Sequence, residues 1–295
     1  MKTVFNAFWY GPPLNVFHWA CMRSFVKRGH DFRLYVYEPR EVPEGVRLMD
    51  AAEILPKDTL FFFDNPVTNK LDLGPFSDLF RFKLLLLLGG WYVDIDTVCM
   101  ADEFPAEQIR AWAQENPRIY PPTINGAQMA LPKGDPLAKE LYERCLARSK
   151  SYRIREDLGP NLLTEVIPKK GLPPSMFGTP ETFYPIDWIG GFKLALPEFY
   201  EEVREKAGTA YFLAVYQSFF QYCGIDLART PPKGSYLREL YETFAPDQMS
   251  AAEYSAEEIK SCVRGYVLRN ADWAVPQVIE TAGPEVIDFF DLAAP

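Results

Sequence analysis

Histidine is almost missing from this chain: among 295 residues only His18 and His30 occur, both near the N-terminus. A Ser-His-Asp triad or a two-histidine metal site would have to be built from that single pair, so both chemistries are disfavoured and the two residues read as structural. The five cysteines (Cys21, Cys99, Cys145, Cys223 and Cys262) are scattered and form no C-x-x-C pair. That argues against a disulfide framework or a zinc site and for buried, reduced thiols. Long apolar runs are also lacking. The leucine run Leu84 to Leu88 is far below the ~20 residues that span a bilayer. Met1 to Tyr10 shows no basic region, apolar stretch or small-residue cleavage site of a signal peptide. The expected location is therefore cytoplasmic, at most peripheral at the inner membrane face. Positive charge is in deficit, with 31 Lys and Arg against 40 Asp and Glu and a net charge of -9. No surplus exists to neutralise nucleic-acid phosphates or to adhere broadly to anionic lipid. No G-x-G-x-x-G follows the first predicted strand, which disfavours a dinucleotide oxidoreductase.

What remains is the pattern of an α/β protein. Thr3 to Phe8 reads as a buried strand, followed by the loop Trp9-Tyr10-Gly11-Pro12-Pro13. Asn15 is a helix cap, and Gly29 stops the helix that follows. From Phe32 to Tyr37 two sets of side chains alternate as in a strand. Strand, helix and strand in this order form a parallel βαβ unit, whose ligands bind at the carboxyl ends of the strands. Trp9 and Gly11 fall at that edge. Further strands are expected at Val46 to Met49, Trp91 to Asp96 and Asn125 to Leu131. Helices are expected at Asp78 to Leu88, Pro136 to Ser149, near Pro160 to Val166, at Pro197 to Lys206 and around Tyr211 to Tyr222. The 26 prolines sit mostly between these segments and mark turns. The expectation is one α/β domain over residues 1–245 with a mixed, mainly parallel sheet, and a helical C-terminal extension over 246–295 packed on it.

The segment Ser77 to Cys99 reads SDLFRFKLLLLLGGWYVDIDTVC. An isolated Asp-x-Asp occurs by chance roughly once in a chain of this length, so its setting carries the information. Asp78 and Arg81 share one face of the predicted helix, one turn apart. On the strand, Trp91, Val93 and Ile95 face one way and Tyr92, Asp94 and Asp96 the other. Gly89-Gly90 lets the helix turn tightly into that strand, which brings Asp78 and Arg81 towards the carboxylates. Hard oxygen ligands such as Asp96 suit Mg²⁺ or Mn²⁺, which stabilises charge on a departing diphosphate. Asp94 and Asp78 can accept bonds from sugar or ribose hydroxyls, Arg81 supplies fixed donors, and Trp9 can stack on a base. The plainer alternatives are an intrahelical ion pair for Asp78 and Arg81, solvated strand-end carboxylates for Asp94 and Asp96, and a core aromatic for Trp9.

The run Ser77 to Cys99 resembles the DXD sugar-binding region of glycosyltransferase family 32. That group includes α-1,4-galactosyltransferases, Och-type initiating mannosyltransferases and bacterial capsule and lipopolysaccharide enzymes. The spacing of Asp78, Arg81, Tyr92, Asp94 and Asp96 is also similar to that of the large glucosylating toxins. Trp9 to Glu38, with its W-x-G-P start, resembles the family's opening. Ile124 to Leu141 resembles its N-x-x-x-A segment, and Leu158 to Thr164 and Phe183 to Trp188 resemble later blocks. The resemblance implies a GT-A-like, nucleotide-sugar-binding domain that transfers a hexose from a UDP-sugar with retention, using Mn²⁺ (or Mg²⁺). The acceptor it implies is a glycan or lipid-linked glycan, in surface polysaccharide synthesis. By resemblance Asp78 and Arg81 contact the donor sugar, and Tyr92 and Asp94 the nucleotide and ribose. Asp96 holds the metal with Asp94 as a second candidate ligand, and Trp9 faces the uracil. In one respect the chain departs from the family: Ala214 to Asp226, AVYQSFFQYCGID, has no histidine where bacterial members carry one. Two other readings stay open, a sugar-nucleotide-binding protein with impaired catalysis and a haloacid-dehalogenase-type phosphatase built on WYVDIDTV.

Overall fold

Alternation along the strands assigns side chains to two separate cores. The computed structural model describes residues 2–65, 70–104, 111–114, 123–171 and 178–292. Its central sheet has six strands in the order β3-β2-β1-β6-β9-β8, with β1 at Val4–Phe8, β2 at Asp31–Val36, β3 at Val46–Asp50, β6 at Gly90–Val93, β8 at Ala111–Gln114 and β9 at Ile124–Leu131. The first four in that order run parallel, and β9 and β8 each run antiparallel to the strand before them. Phe5, Ala7, Phe32, Leu34, Trp91, Val93 and Ala130 enter one core, while Phe8, Tyr35, Tyr92, Met129 and Leu131 enter the other. Period-two alternation thus sorts apolar residues between two buried faces, as expected for a sheet covered by helices on both sides.

The second core is filled by α2 (Gly74–Leu88), α3 (Pro136–Arg148) and α4 (Pro160–Val166). The first is covered by α1 (Val16–Lys27) and by elements from the C-terminal half. These include the short α5 (Pro180–Phe183) and α6 (Phe192–Ala195), then α7 (Tyr200–Gly208), α8 (Gln217–Cys223), α9 (Tyr236–Phe244), α10 (Ala256–Arg269), α11 (Ala271–Ala282) and α12 (Val286–Phe289). Ile259, Val263, Tyr266, Val267, Ala274, Val275 and Val278 bury into the same core as Phe5 and Trp91. The fold is α/β with a mixed, mainly parallel sheet, and a helical C-terminal addition packs on it.

Several local expectations are met for identifiable reasons. Asn15 caps α1 by accepting from His18 N, and the His18 ring returns the bond by accepting from Asn15 N, a reciprocal capping box. Gly89 and Gly90 carry φ of 68° and 82°, and a Cβ on Gly89 would lie 2.3 Å from Lys133 N. The helix-to-strand turn therefore needs glycine on both grounds. Two expectations are corrected. The strand predicted over Trp91 to Asp96 ends at Val93, and Asp94 to Asp96 form a turn closed by Thr97 N donating to Asp94 O at 3.1 Å. A short strand β7 (Thr97–Cys99) follows. The helix predicted from Tyr211 starts only at Gln217, because Phe212–Ala214 is a strand, β10, paired antiparallel with β7. A three-residue apolar run buried on every side has no readable period, so its helical reading had no internal check. A hairpin of β4 (Phe63–Asn65) and β5 (Lys70–Asp72) was not anticipated.

Candidate active site

The parallel strands β1 and β6 are neighbours, with Phe5 opposite Trp91 and Asn6 opposite Tyr92. The loop after β1 and the turn after β6 therefore leave the sheet at the same edge, the carboxyl edge where such sheets bind ligands. Trp9 opens the first loop. Its backbone N donates to Tyr35 O at 3.0 Å and its indole Nε1 to Pro12 O at 3.1 Å. Arg40 steadies the same loop by donating to Pro12 O at 3.3 Å. The Trp9 ring is half-buried, with the His18 ring 4.7 Å away.

Arg81 sits at the centre of the second part of the site. Its Nη1 donates to Asp78 Oδ1 at 2.8 Å and its Nη2 to Asp94 Oδ1 at 2.7 Å. Its guanidinium carbon lies 4.8 Å from the centroid of the Tyr92 ring, and the Tyr92 hydroxyl meets Ser77 Oγ at 3.2 Å. Asp78 and Arg81 are almost fully enclosed, at 7% and 4% exposure, and Tyr92 is wholly buried. About a third of the Asp94 side chain, 32%, remains exposed. Burial pushes the Asp78 carboxyl up to about 6 although the Arg81 charge opposes the shift; the low-polarity surroundings outweigh the ion pair.

Two glycines close over this ion pair. A Cβ on Gly126 would stand 2.7 Å from Arg81 Nη1, and one on Gly159 would stand 2.4 Å from Asp78 Oδ2. Gly126 lies in the block Ile124 to Leu141 and Gly159 begins the Gly-Pro-Asn run, so both sequence blocks come to the same ion pair. Gly159→Ala should lower stability by about 1–3 kcal/mol, because the enclosed carboxylate has nowhere to retreat. Gly208→Ala, at a helical position with nothing within 4 Å, should be neutral or stabilising by about 0.5–1 kcal/mol. Urea unfolding of both variants checks the contrast, and an equal, small effect at the two positions would refute the close-approach argument.

Asp96 faces a different element. Its Oδ2 accepts from Gln217 N at 3.1 Å and its carbonyl from Val215 N at 3.0 Å. Between those two donors Tyr216 adopts φ 56° and ψ 65°, left-handed backbone that a tyrosine rarely takes. Strain of this kind costs on the order of 1–3 kcal/mol and persists where neighbours over-determine it. Here β10 pairing on one side and the Tyr216 hydroxyl donating to Ile186 O at 3.1 Å hold it in place. Burial, and then the Asp94 charge, push the Asp96 carboxyl up to about 6. Asp94 and Asp96 thus form an anionic turn that a cation would relieve. Among the described residues no cluster of three or more His, Cys, Asp or Glu could cage a metal ion. Two carboxylates fit only a cation that brings other ligands with it, such as water or phosphate oxygens.

Of the sequence-predicted residues, Asp78, Arg81, Tyr92 and Asp94 are joined by direct contacts, Asp96 stands in the same turn as Asp94, and Trp9 lies on the neighbouring loop. The structure gives Tyr92 to Ser77 and Arg81, away from the open edge. His30 is structural as expected, 3% exposed with Nε2 against Ala101 O at 3.2 Å. His18 lies closer to the site than its place in the sequence suggested. It is 2% exposed, and burial lowers its pKa to about 4 against the opposing influence of Gln217, the residue whose backbone N holds Asp96. The sequence carried no signal for Arg155, which donates through Nε to Asp72 Oδ2 at 2.8 Å and whose charge lowers the pKa of both Asp78 and Asp96.

No family profile matches the chain, and no curated protein matches it. Among solved structures it is similar to PaToxG glycosyltransferase, with a TM-score of 0.42 and 12% identity over 84% of this chain and 88% of that one. It is also similar to a glycosyltransferase involved in the glycosylation of the major capsid of PBCV-1, with a TM-score of 0.40 and 12% identity over 75% of this chain and 97% of that one. Both similarities are distant. No helix among the described residues is long and apolar enough to cross a membrane.

Proposed function

We propose that this protein is a metal-assisted glycosyltransferase of the GT-A type, transferring a hexose from a UDP-sugar to a glycan or lipid-linked glycan with retention, in surface polysaccharide synthesis. The observation that carries the reading is the turn after β6. It sets Asp94 and Asp96 together at the carboxyl edge, beside the Trp9 loop and against Gln217. The resemblance to glycosyltransferase family 32, drawn from the residues themselves, supplies the donor class, the retention and the acceptor.

In this reading Asp96, with Asp94 beside it, holds Mn²⁺ or Mg²⁺ through charged oxygens. The cation, when bound, neutralises the negative charge that builds on the leaving diphosphate. Arg81 fixes the rotamer of Asp94 through the 2.7 Å bond, so that its exposed oxygen is presented without reorganisation. Asp78 and Arg81 border the donor sugar, and Tyr92, stacked on the Arg81 guanidinium, supports the nucleotide side through Arg81 and Asp94. Trp9 offers its ring face to the uracil. A phosphatase using Asp94 as nucleophile is less well supported, since Arg81 already occupies one of its oxygens.

The two-carboxylate arrangement predicts that metal and nucleotide bind together. Mn²⁺ should bind the free protein weakly, and UDP should raise its affinity by about 5–150-fold, with the reciprocal gain for UDP when Mn²⁺ is added. Calorimetric titration of each with and without the other measures both arms. Binding of Mn²⁺ alone at or below about 1 μM, near -8 kcal/mol, would contradict the reading, as would UDP affinity indifferent to the metal. If binding is coupled but no UDP-sugar is turned over, the alternative of a sugar-nucleotide-binding protein with impaired catalysis holds instead.

A further inference from the structure

We infer that Arg155 is the oxyanion contact of this site, and that its two terminal nitrogens grip the diphosphate of the donor. The inference rests on the reading above for the identity of the donor but not for the existence of an anion site.

Arg155 stands in a one-turn segment, Arg155–Asp157, that packs against α2. It is held by one nitrogen only: Nε donates to Asp72 Oδ2 at 2.8 Å. Asp72 is itself fixed, because Oδ1 accepts from Gly74 N at 2.7 Å and Oδ2 accepts from Asn65 Nδ2 at 3.2 Å. The Asn65 amide also donates to the Tyr222 hydroxyl at 3.2 Å, which ties the hairpin to α8. The guanidinium lies over the first residue of α2, where a Cβ on Gly74 would be 3.0–3.1 Å from Nη2, Cζ and Nε. Position and plane are therefore set before any ligand arrives.

The terminal nitrogens are not used in this way. Nη1 and Nη2 make no hydrogen bond among the described residues, and 36% of the side chain remains exposed. Arg81, the other arginine of the site, has both terminal nitrogens committed to Asp78 and Asp94 and only 5% of its side chain exposed. The two arginines divide the work: one braces carboxylates, and the other offers a planar pair of donors to solvent over Gly74, about one helical turn before Asp78 on α2. A planar fork with parallel N–H groups matches two oxygens of a phosphate. An acidic turn that needs a cation and an arginine fork that needs an anion, both tied to α2 through Arg81 and Gly74, fit the two halves of a metal-bridged diphosphate. A carboxylate or phosphate on the acceptor would satisfy the same fork, and the test separates the two.

The experiment measures binding of inorganic pyrophosphate, UDP and uridine in Mn²⁺ by calorimetry, with wild type, Arg155→Gln and Arg155→Lys. Arg155→Gln is expected to weaken UDP and pyrophosphate by about 10-fold or more, leave uridine unchanged, and recover only partly in Arg155→Lys. Uridine affinity and melting temperature report whether the fold and the base contact survive. Equal affinity of wild type and Arg155→Gln for both UDP and pyrophosphate overturns the inference, and is also the result an acceptor-side role would give. Failure of wild type to bind pyrophosphate overturns it too. If pyrophosphate binding depends on Arg155 while uridine does not bind and UDP binds no more tightly than pyrophosphate, the anion site stands and the nucleotide-sugar reading falls.

Discussion

Asp96→Asn is expected to reduce transfer and donor hydrolysis by about 10³-fold or more while the protein stays folded. The amide oxygen can still accept from Gln217 N, so the bond that fixes the turn survives. What disappears is the negative charge that binds the cation. Stability should move the other way. The Asp96 carboxyl is held at about 6 in the folded state, against about 3.9 in an unfolded chain. Folding therefore favours its protonated form, and the penalty for the ionised form builds up as pH rises from about 4 to about 6 and is complete above that window. At pH 7 the asparagine variant should melt at the same temperature as wild type or higher, and the advantage should vanish below pH 4. Thermal melts at pH 4 and pH 7, read beside turnover, give both numbers. Near-normal turnover by the folded variant would remove Asp96 from the metal site. A clear loss of stability at pH 7 would mean that its charge is compensated by the protein and needs no cation.

That opposition between function and stability bears on what the sequence could disclose. The βαβ opening, α2 and its glycine turn, β3 and β9 were legible because each has a long enough apolar period or a cap residue with one strong interpretation. Asn15 and Gly89 are examples. The carboxylates Asp94 and Asp96 were legible as a pair, but their placement was not. Strand periodicity puts Asp94 and Asp96 on one face, and it continues formally past Val93, where Asp94 N still donates to Ala127 O at 2.7 Å before the chain turns. The partner of that turn, β10, lies more than a hundred residues on and is too short to show a period. Gly126, inside an expected strand, and Gly159 carried no mark of their role, because close approach to Arg81 and Asp78 is a property of three segments brought together. Arg155 was invisible for the same reason. Nothing near it in sequence indicates that Asp72 would hold one of its nitrogens and leave two unused. The state of Asp78 was equally hidden, since its i, i+3 spacing to Arg81 is that of many exposed helical pairs, and only burial distinguishes them.

Arg81→Met should therefore destabilise the protein by about 3–5 kcal/mol, and Arg81→Lys by about 1.5–3 kcal/mol. An exposed helical pair at this spacing would contribute only about 0.3–0.5 kcal/mol, but the side chains of Arg81 and Asp78 are 5% and 10% exposed. Removing the guanidinium leaves Asp78 enclosed with no counter-charge and frees Asp94 to rotate. Lysine keeps the charge, yet one ammonium cannot reproduce two bonds made by two nitrogens to carboxylates on different elements. The deficit should also depend on pH. Without Arg81 the Asp78 carboxyl shifts further above its folded value of about 6, so it can be neutral at pH 5 but is costly to keep buried at pH 8. The Arg81→Met deficit should accordingly be larger at pH 8. Urea unfolding at the two pH values, with Asp78→Asn added as the second arm of a double-mutant cycle, separates the partners. If Asp78 is the stranded charge, Asp78→Asn recovers much of the loss in the Arg81→Met background. If the loss persists unchanged, the bond to Asp94 is the one that matters, and transfer activity should then fall with stability in every Arg81 variant. A cost below about 0.5 kcal/mol at both pH values would show that the pair is solvated, and with it would go the argument that Arg81 braces the metal-binding turn.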